Sequence, residues 1–499
     1  MIHLMGSNKR LCDGFSRRDL LHIGGLATLG LTVEDLFRSQ ALSSEKESPS
    51  PSFGRSKACI LLFLFGSPPQ HETFDPKPDA PEDIRGEMNP ISTQLPGLQI
   101  CEGLPQTAEI MDRLTLVRSM THPYALHGVA YALTGMPTYT PTIEASPRHP
   151  DHYPFIGSVV DYIEAHRSGR SHPELPRNIG LPWLFGSKST LGALAGPYPA
   201  FLGNGYDPLW TDFTGTGKRI VPKLLDEQTN DVLDPFASTT SEGRFKLPAT
   251  GLPGGVTKSR FDVRRTLLHQ FDQTRRWMEQ YRNVQSFDHH QNTAYSLVTS
   301  NKMREALDIH RESEGSRDRY GMNLFGQSAL AARRLVESGA KFISVFWDPF
   351  GPFGGSVWDT HANHFPRLKE YLLPVFDQAY SALIRDLDQR GLLDETLVLC
   401  VSEHGRTPKI DSKPKGAGRH HWSRVYSATL AGGGVKRGNV VGQSDPIGGD
   451  VAQTPVSPKD LLATSYHLLG IDPDTIIHDQ VNRPVRIAGD GKIRPELLS

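Results

Sequence analysis

The 499-residue sequence has few cysteines, almost no net charge and no long apolar run. Its four cysteines are too few for a disulfide framework, and no C-x-x-C pair indicates a thiolate metal site or a redox centre. The 54 basic and 55 acidic residues give a formal net charge of −1, which excludes nucleic acid as a first choice of partner. No stretch approaches the about 18 apolar residues of a membrane span, so we predict no integral membrane segment in the mature chain.

The amino-terminal segment has the pattern of an export signal. Arg17 and Arg18 are adjacent and precede a weakly apolar stretch, residues 23–31, after which small residues suit cleavage. This pattern resembles a twin-arginine signal, and an ordinary amphipathic helix is the alternative. We predict a signal peptide over residues 1–41 and a polar linker over 42–56. The protein is then exported by the twin-arginine machinery of a bacterium, to the periplasm or the extracellular space.

Apolar runs typical of buried strands alternate with helical patterns along the rest of the chain. The run Ala58–Phe65 is continuously apolar, as in a strand buried on both faces of a parallel sheet. A helical pattern over Leu324–Gly339 precedes a second such run at Lys341–Trp347, and Pro374 is expected to kink or divide the helix over Leu368–Leu387. This alternation predicts an α/β fold, a three-layer sandwich with a largely parallel central sheet and helices on both faces.

The same patterns set the expected domain boundaries. We predict a single α/β domain over residues 57–490 and a short tail over 491–499. Residues 170–256 are rich in glycine, proline and aromatics without periodicity, so we expect a loop-rich insertion there. Residues 257–322 are highly charged with a helical pattern, so we expect a helical segment that covers the domain.

Acidic and histidine residues follow separate predicted strands. Asp359 and His361 are two positions apart, so both side chains point the same way in an extended segment. Glu403 and His404 come directly after another apolar run, and His421 follows further along. Because ligands bind at the carboxyl ends of such strands, the pattern favours a shared site for zinc, manganese or iron. Each pair also has a simpler interpretation as a helix cap, a polar loop or a solvated surface pair.

Five ordered motifs resemble those of one family. They are Gln70-His-Glu-Thr-Phe-Asp75, His127-Gly-Val-Ala-Tyr-Ala-Leu-Thr134-Gly135, Trp358-Asp-Thr-His361, Glu403-His-Gly-Arg-Thr-Pro408 and Gly418-Arg-His-His421-Trp422. The sequence is similar, over residues 16–490, to the twin-arginine-exported bacterial family called domain of unknown function 1501. This family is grouped with the alkaline phosphatase and sulfatase superfamily.

The resemblance implies an alkaline phosphatase-like fold with two divalent metal ions at the carboxyl-terminal edge of the sheet. The ions implied are zinc or manganese, with calcium as the alternative, and the reaction is hydrolysis of phosphate or sulfate esters. Matching positions give the ligands as Asp75 or His71 after the first strand, Glu403 and His404 for the first ion, and Asp359, His361 and His421 for the second.

The sequence departs from this superfamily at the attacking group. It has no C/S-x-P-S-R motif of the sulfatases, and Ala125 stands where the phosphatases carry serine or threonine. His127, Thr121 or Thr73 could replace that group, or a water activated by the ions could attack directly. His127 and Arg406 are the catalytic candidates, and a helix-capping or core role is the alternative for His127.

Two function hypotheses follow from these observations. The first is an exported metal-dependent hydrolase that acts on a small-molecule or glycan ester, and it is favoured by the acid and histidine pairs. The second is a catalytically silent protein that keeps the fold and binds a metal or a glycan, and it is favoured by the alanine at the nucleophile position.

Overall fold

The computed structural model describes residues 51–124, 127–136, 140–167, 174–190, 192–217, 234–247, 282–299, 301–350, 357–413 and 416–499. The chain divides into two compact units, Met1–Pro51 and Ser52–Ser499. All elements below belong to the second unit. The predicted signal peptide, residues 1–41, lies outside the described residues.

The elements of the described residues are numbered in chain order. The strands are β1 (Ala58–Leu64), β2 (Pro90–Ser92), β3 (Gln99–Cys101), β4 (Leu114–Met120), β5 (Asn178–Leu181), β6 (Leu209–Trp210), β7 (Asp212–Thr216), β8 (Thr239–Lys246), β9 (Phe342–Trp347), β10 (Thr396–Val401), β11 (Gly405–Arg406), β12 (Asp411–Lys413), β13 (Gly416–Gly418), β14 (His421–Trp422), β15 (Tyr426–Ala431), β16 (Asn439–Val441), β17 (Gln443–Ser444), β18 (Val451–Gln453), β19 (Ile476–His478) and β20 (Pro484–Arg486). The α-helices are α1 (Glu82–Arg85), α2 (Pro105–Ala108), α3 (Val129–Thr134), α4 (Pro141–Glu144), α5 (Ile156–Arg167), α6 (Arg282–Thr299), α7 (Lys302–Leu307), α8 (Glu314–Tyr320), α9 (Leu324–Glu337), α10 (His364–Arg367), α11 (Leu373–Gln389) and α12 (Pro458–Leu468).

The strand β1 lies near the middle of a large sheet. Within the described parts of the chain, this sheet has eight strands in the order β16–β4–β15–β10–β1–β9–β5–β6. β1 pairs in parallel with β10 and with β9, and all of its residues are buried. β15 runs antiparallel to both of its neighbours, whereas the other pairings are parallel. The predicted largely parallel sheet is confirmed.

Helices cover both faces of this sheet. Phe342 and Trp347 are five residues apart on β9, so their side chains point to opposite faces. The ring of Phe342 packs against Phe155, directly before α5, with 5.6 Å between ring centroids. The ring of Trp347 packs against Phe325 of α9, with 4.6 Å between centroids. The predicted three-layer α/β sandwich is therefore confirmed.

The helices on the α9 face begin and end at recognisable signals. The side chain of Asn323 caps α9 by accepting a hydrogen bond from the Gly326 N–H at 2.7 Å. Further along the chain, α10 continues through a π-helical turn, Leu368–Leu372, into α11, and Pro374 lies in the first turn of α11. Pro374 has no N–H to donate to the preceding helical turn, and the π-helical turn directly before it interrupts the regular α-helical pattern at this point. Among the described helices, none combines the length and the hydropathy that crossing a membrane requires.

Part of the predicted loop-rich insertion belongs to the central sheet. β5 pairs with β9, and β6 pairs with β5 at the edge of the sheet. These strands have four and two residues, which is too short for a periodic pattern to be visible in the sequence. A Cβ on Gly180 of β5 would lie 2.4 Å from the ring of Trp210, so a glycine that looks like a loop residue is required by packing. The described part of the predicted helical segment, from residue 282, forms α6, α7 and α8.

The compact unit also includes both ends of the described chain beyond the predicted domain limits. Ser56, assigned to the linker, is buried and donates a hydrogen bond to the Gly433 carbonyl at 2.8 Å. Leu497, assigned to the tail, is fully buried, and its carbonyl accepts a bond from the Lys436 N–H at 2.9 Å. Packed residues therefore extend beyond positions 57 and 490, because short polar segments can pack through backbone hydrogen bonds that sequence does not show.

Candidate metal centre

Three segments meet at the carboxyl-terminal edge of the central strands. Gly66 follows β1, Glu403 follows β10, and Asp359 lies in the segment after β9. The Gly66 N–H donates to Oε1 of Glu403 at 2.8 Å, and the Trp358 N–H donates to the Phe65 carbonyl at 3.1 Å. Gly66 has a φ of +97°, and a Cβ there would lie 2.4 Å from the Asp359 nitrogen. Glycine therefore allows both the turn and the close approach of the segments.

Glu403 is a fully buried carboxylate held from several sides. Besides the bond from Gly66, its Oε2 accepts a hydrogen bond from the Ser402 hydroxyl at 2.9 Å. Its Oε1 lies 2.9 Å from Nδ1 of His127. The Glu403 backbone carbonyl accepts a bond from Nε2 of His122 at 2.7 Å. These contacts fix the carboxylate in one orientation, facing His127.

Asp359 is the second carboxylate of the centre and lies among three imidazoles. Its Oδ1 is 2.9 Å from Nε2 of His361 and 3.2 Å from Nε2 of His421. Its Oδ2 is 3.5 Å from Nε2 of His127. The Arg406 guanidinium donates to Oδ1 from the protein interior. Asp359 and Glu403 therefore lie on two sides of His127, and one carboxylate is anchored by a buried arginine.

His127, His404 and His421 form a compact group of imidazoles. The ring centroids of His127 and His421 are 4.1 Å apart, and those of His404 and His421 are 4.7 Å apart. Nδ1 of His404 donates to the Gly405 carbonyl at 2.8 Å, which leaves Nε2 as the lone-pair nitrogen, buried and without a hydrogen-bond partner. Two sets have ligand atoms within 4.8 Å of one another: His127 with His404 and His421, and Asp359 with His361 and His421.

The electrostatics of these groups follow from their burial and their neighbours. Burial would lower the pKa of His127, but hydrogen bonds with Asp359 and Glu403 outweigh it and raise the pKa from 6.5 to about 9. Burial would raise the pKa of Asp359, but the Arg406 charge and its imidazole partners hold that pKa well below its usual range. Burial and the positive charge of its neighbours lower the pKa of His404 far below 6.5. Asp359 and His404 are therefore an anionic carboxylate and a neutral imidazole, as metal ligands require, whereas His127 would have to lose its proton to ligate a cation.

The motifs that form this centre are those of one protein family. The sequence model of a family described as protein of unknown function (DUF1501) matches residues 56–498. The chain belongs to this family. The match covers all five motifs on which the resemblance rests, so the predicted family is confirmed. No curated protein matches the DUF1501 chain.

Several solved structures have a similar architecture. The PsFucS1 sulfatase from Pseudoalteromonas sp. is 12% identical, with a TM-score of 0.37, and the match covers 87% of this chain and 71% of that chain. The phosphonate monoester hydrolase from Silicibacter pomeroyi is 12% identical, with a TM-score of 0.33, and covers 88% and 76%. Alkaline phosphatase from the Antarctic bacterium TAB5 is 12% identical, with a TM-score of 0.30, and covers 77% and 94%.

Two predicted ligands have their contacts elsewhere. Nε2 of His71 donates to the Ile447 carbonyl at 2.8 Å. Asp75 lies 3.5 Å from Nε of Arg118 and accepts a hydrogen bond from the Ser444 hydroxyl. Neither residue belongs to the two sets of converging ligand atoms in the described part of the chain. The structure therefore brings together Asp359, His361, Glu403, His404 and His421, and it adds His127 to them.

Arg406 is buried beside this centre and holds Asp359 in position. Its side chain is fully buried, and it donates to Asp359 and to the carbonyls of Gly66, Ser67 and Arg419. Its backbone N–H donates to Oε1 of Gln70 at 2.9 Å. These contacts position the carboxylate of Asp359 and join the segments after β1 and β10. A side chain engaged in this way acts through Asp359.

Sequence reasoning missed a second charged group close to the centre. Glu72 is fully buried, with Nε of Arg419 3.0 Å from its Oε2 and Nε2 of His364 3.1 Å from the same oxygen. Nδ1 of His364 lies 2.7 Å from the hydroxyl of Thr360. Thr360 is the residue between Asp359 and His361 in the chain. The signal available in the sequence is an acid inside the first motif, next to the predicted ligand His71.

The donor set of the centre fits a divalent transition metal. Imidazole nitrogens and carboxylate oxygens together suit zinc and manganese better than magnesium, which prefers oxygen ligands and water. Nε2 of His404 is a buried lone-pair nitrogen without a hydrogen-bond partner, and it faces His421. A buried polar atom left in this way costs free energy unless a ligand completes it.

Proposed function

We propose that this protein is an exported metal-dependent hydrolase of phosphate or sulfate esters, in which water is the attacking group. One observation carries the proposal: predicted ligands from distant parts of the chain converge, so that Asp359, His361 and His421 have ligand atoms within 4.8 Å, as do His127, His404 and His421. Oriented carboxylates and imidazoles held this closely at the edge of an α/β sheet are typical of a metal site.

The two ligand sets share His421, and each adds two further side chains. A neutral imidazole offers one lone pair, so His421 ligates one of the two proposed ions and the other ion keeps the two remaining residues of its set. Glu403, which is bonded to His127, supplies a second negative charge on the side of His127 and His404. When bound, zinc or manganese would polarise the ester oxygens and lower the pKa of a water molecule. The protein holds the ligands in place through Arg406, Gly66 and the backbone of β10.

The exposure of the ligands supports a substrate that approaches from solvent. Glu403 and His404 are fully buried, whereas the side chains of Asp359, His361, His127 and His421 are partly exposed. The centre is thus closed on the protein side and open on the other side. A small-molecule or glycan ester could bring its phosphate or sulfate group to such a site without a large opening motion.

The described side chains also support water as the attacking group. Thr73 is buried, and its hydroxyl donates to the Pro69 carbonyl at 2.7 Å. Both nitrogens of His127 face carboxylates. Ala125, at the nucleophile position of the phosphatases, lies outside the described residues, and its methyl group cannot attack. We therefore expect Ala125→Ser to leave turnover unchanged, and trapping a phosphorylated or sulfated Thr73, Thr121 or His127 would contradict the water mechanism.

The test of this function measures metal content before activity. Protein purified from the cytoplasm is expected to contain zinc or manganese by elemental analysis and to hydrolyse some member of a broad panel of phosphate and sulfate esters. Asp359→Ala and His404→Ala should lose both metal and hydrolysis. His149→Ala is the matched control, because His149 is a partly exposed histidine whose acidic neighbour is Asp151. Full metal content without hydrolysis of any ester would instead support the silent binding protein.

Export is tested separately through the two arginines of the proposed signal. Replacing Arg17 and Arg18 with lysine keeps the charge but removes the guanidinium groups that a twin-arginine signal requires. The double variant should remain folded in the cytoplasm, as fractionation and immunoblotting would show. Unchanged export of this variant would contradict the twin-arginine signal and would support an ordinary amino-terminal helix.

A further inference from the structure

A chain of hydrogen bonds leads from the candidate metal centre to the protein surface. Nε2 of His361 faces Asp359 and His421, at 2.9 Å from Oδ1 of Asp359 and 3.0 Å from Nε2 of His421. On the other side of the ring, Nδ1 of His361 lies 2.9 Å from Nδ1 of His420. Nε2 of His420 lies 3.0 Å from Oδ2 of Asp411. Three side chains are therefore connected in series, from the predicted ligand His361 through His420 to Asp411.

Backbone structure holds the outer two members in place. His420 directly precedes β14, which pairs with β11, and its N–H and carbonyl bond to Thr407 at 3.0 and 2.8 Å. Asp411 begins β12, which pairs with β13 so that Asp411 lies opposite Gly418. The two side chains thus come from neighbouring two-stranded ladders. Their geometry does not depend on the conformation of a single loop.

The chemistry of these groups fixes where the protons lie. An ionised carboxylate only accepts hydrogen bonds, so Nε2 of His420 carries the proton that it donates to Asp411. In neutral His420, Nδ1 then has the lone pair and must accept. The proton in the bond between the two Nδ1 atoms therefore belongs to His361. Nε2 of His361 faces the carboxylate of Asp359, to which it donates in the metal-free protein, and a divalent cation ligated by both residues would replace that proton.

We propose that His420 and Asp411 form a relay that holds His361 in the tautomer whose Nε2 ligates a divalent cation. This inference rests on the proposed function, because it assigns two positioning residues to the same metal centre. A ligating histidine needs its second nitrogen to donate to a fixed acceptor, which orients the ring and increases the basicity of the ligating nitrogen. Here the acceptor is a second histidine that a carboxylate orients in turn.

The exposure of the relay makes it open to mutation. The side chains of His420 and Asp411 are 43% and 40% exposed, and substitutions at such positions usually change the stability of a protein little. Variants of the relay are therefore expected to fold, which circular dichroism would verify. Asp411→Ala removes the terminal acceptor, and Asp411→Glu keeps a carboxylate with a longer side chain. Asp151→Ala removes the carboxylate of the surface pair with His149 and is the matched control.

The first measurement detects the proton on Nδ1 of His361 in zinc-loaded protein. Nitrogen NMR of protein labelled in its histidines, with His361 assigned through the signals lost in His361→Gln, should show zinc on Nε2 and a proton on Nδ1 that exchanges slowly with water. In Asp411→Ala this proton should exchange faster, because no carboxylate holds His420 in place, whereas Asp151→Ala should match the wild type. Zinc on Nδ1 in the wild type, or an unchanged exchange rate in Asp411→Ala, overturns the relay.

The second measurement reads zinc affinity by competition with a chromophoric chelator. Asp411→Ala and His420→Ala should bind zinc about 10- to 100-fold more weakly than the wild type, and Asp411→Glu should recover part of the loss. Equal affinity in wild type and Asp411→Ala overturns the relay while the metal centre stands. Absence of zinc and manganese binding in the wild type overturns the proposed function and, with it, the ligand role of His361.

Discussion

Two charged clusters lie side by side in this protein and differ in the groups that their buried imidazoles face. In the closed ion cluster, Glu72 with Arg419 and His364, all three side chains are buried, and Nε2 of His364 lies 3.1 Å from Oε2 of Glu72. In the candidate metal centre, the ring of His404 lies against His127 and His421, and its buried Nε2 has no hydrogen-bond partner. The charges of the first cluster are therefore neutralised within the protein, whereas the imidazoles of the second face one another, as they would around a cation.

The same two chain segments build both clusters. Arg419 and His421 are two residues apart, and so are Asp359 and His361, with Thr360 between them bonded to His364. The Arg419 N–H donates to the Thr360 carbonyl at 3.1 Å. A Cβ on Gly418 would lie 1.9 Å from the His361 carbonyl oxygen. The closed ion cluster therefore acts as the support on which the predicted ligands of the candidate metal centre are placed.

The largest expected effect comes from breaking the closed ion cluster. Glu72→Ala leaves the buried guanidinium of Arg419 without its carboxylate, so we expect a loss of about 3–5 kcal/mol in the free energy of unfolding. Urea unfolding of the metal-free protein measures this loss. Glu242→Ala, at a carboxylate whose side chain is 80% exposed, is the control and should behave like the wild type. If the two variants were equally stable, Glu72 would have no structural role.

Removing a predicted ligand should have little effect on the stability of the metal-free protein and a large effect on its stabilisation by zinc. His404→Ala deletes an imidazole whose Nε2 has no hydrogen-bond partner, so the metal-free variant should lose much less stability than Glu72→Ala. Zinc at 100 times its dissociation constant should stabilise the wild type by about 2.7 kcal/mol, and this gain should vanish in His404→Ala. Unfolding of both proteins with zinc and with a chelator gives the result. If zinc stabilised His404→Ala as much as the wild type, His404 would not be a zinc ligand.

A smaller effect is expected from the protonation of His127. Its pKa is raised in the folded protein from 6.5 to about 9, because Asp359 and Glu403 stabilise the imidazolium against the cost of burial. The folded state therefore binds this proton more tightly than the unfolded state. The resulting stability is fully present below pH 6.5 and is lost as the pH rises through about 9. Metal-free wild type should show this loss in unfolding experiments across that range, and His127→Gln should not.

Part of this structure could be predicted from the sequence because the signal was local. The apolar run of β1 indicated a strand buried on both faces, and the pairs Asp359–His361 and Glu403–His404 follow strands whose carboxyl ends meet at one edge. Asp359 and His361, two positions apart, have their side chains in contact in the structure, since side chains of an extended segment alternate. Local spacing thus predicted which pairs converge.

The rest depended on contacts that spacing does not encode. His127 meets Glu403, which is 276 positions away, and the identity of that partner follows only from the arrangement of the strands. His71 and Asp75 follow β1 in the expected loop, but their side chains bond to the Ile447 carbonyl and the Ser444 hydroxyl. The strand β5 has four residues, which is too few for an alternation of apolar and polar residues to be visible in the sequence. In each of these places, tertiary packing decided what the sequence pattern left open.

The smallest expected effect is the pH dependence of stability that Glu144 contributes. The pKa values of Glu72 and Glu144 are shifted in opposite directions. Burial would raise the pKa of Glu72, but Arg419 lowers it below its usual range. Burial raises the pKa of Glu144, which accepts a bond from the Val129 N–H, from 4.5 to about 7 against the opposing charge of His127. The folded state therefore holds a proton on Glu144 that the unfolded state releases.

Consequently, the contribution of Glu144 to stability is present below pH 4.5 and is lost as the pH rises through about 7. Glu144→Gln cannot ionise and should show a smaller fall in unfolding free energy between pH 5 and pH 7, measured in metal-free protein. Glu109→Gln, at a side chain that is 63% exposed, should keep the fall of the wild type. An equal fall in both variants would mean that Glu144 is solvated, because only burial without a matching cation keeps a carboxyl group protonated near neutral pH.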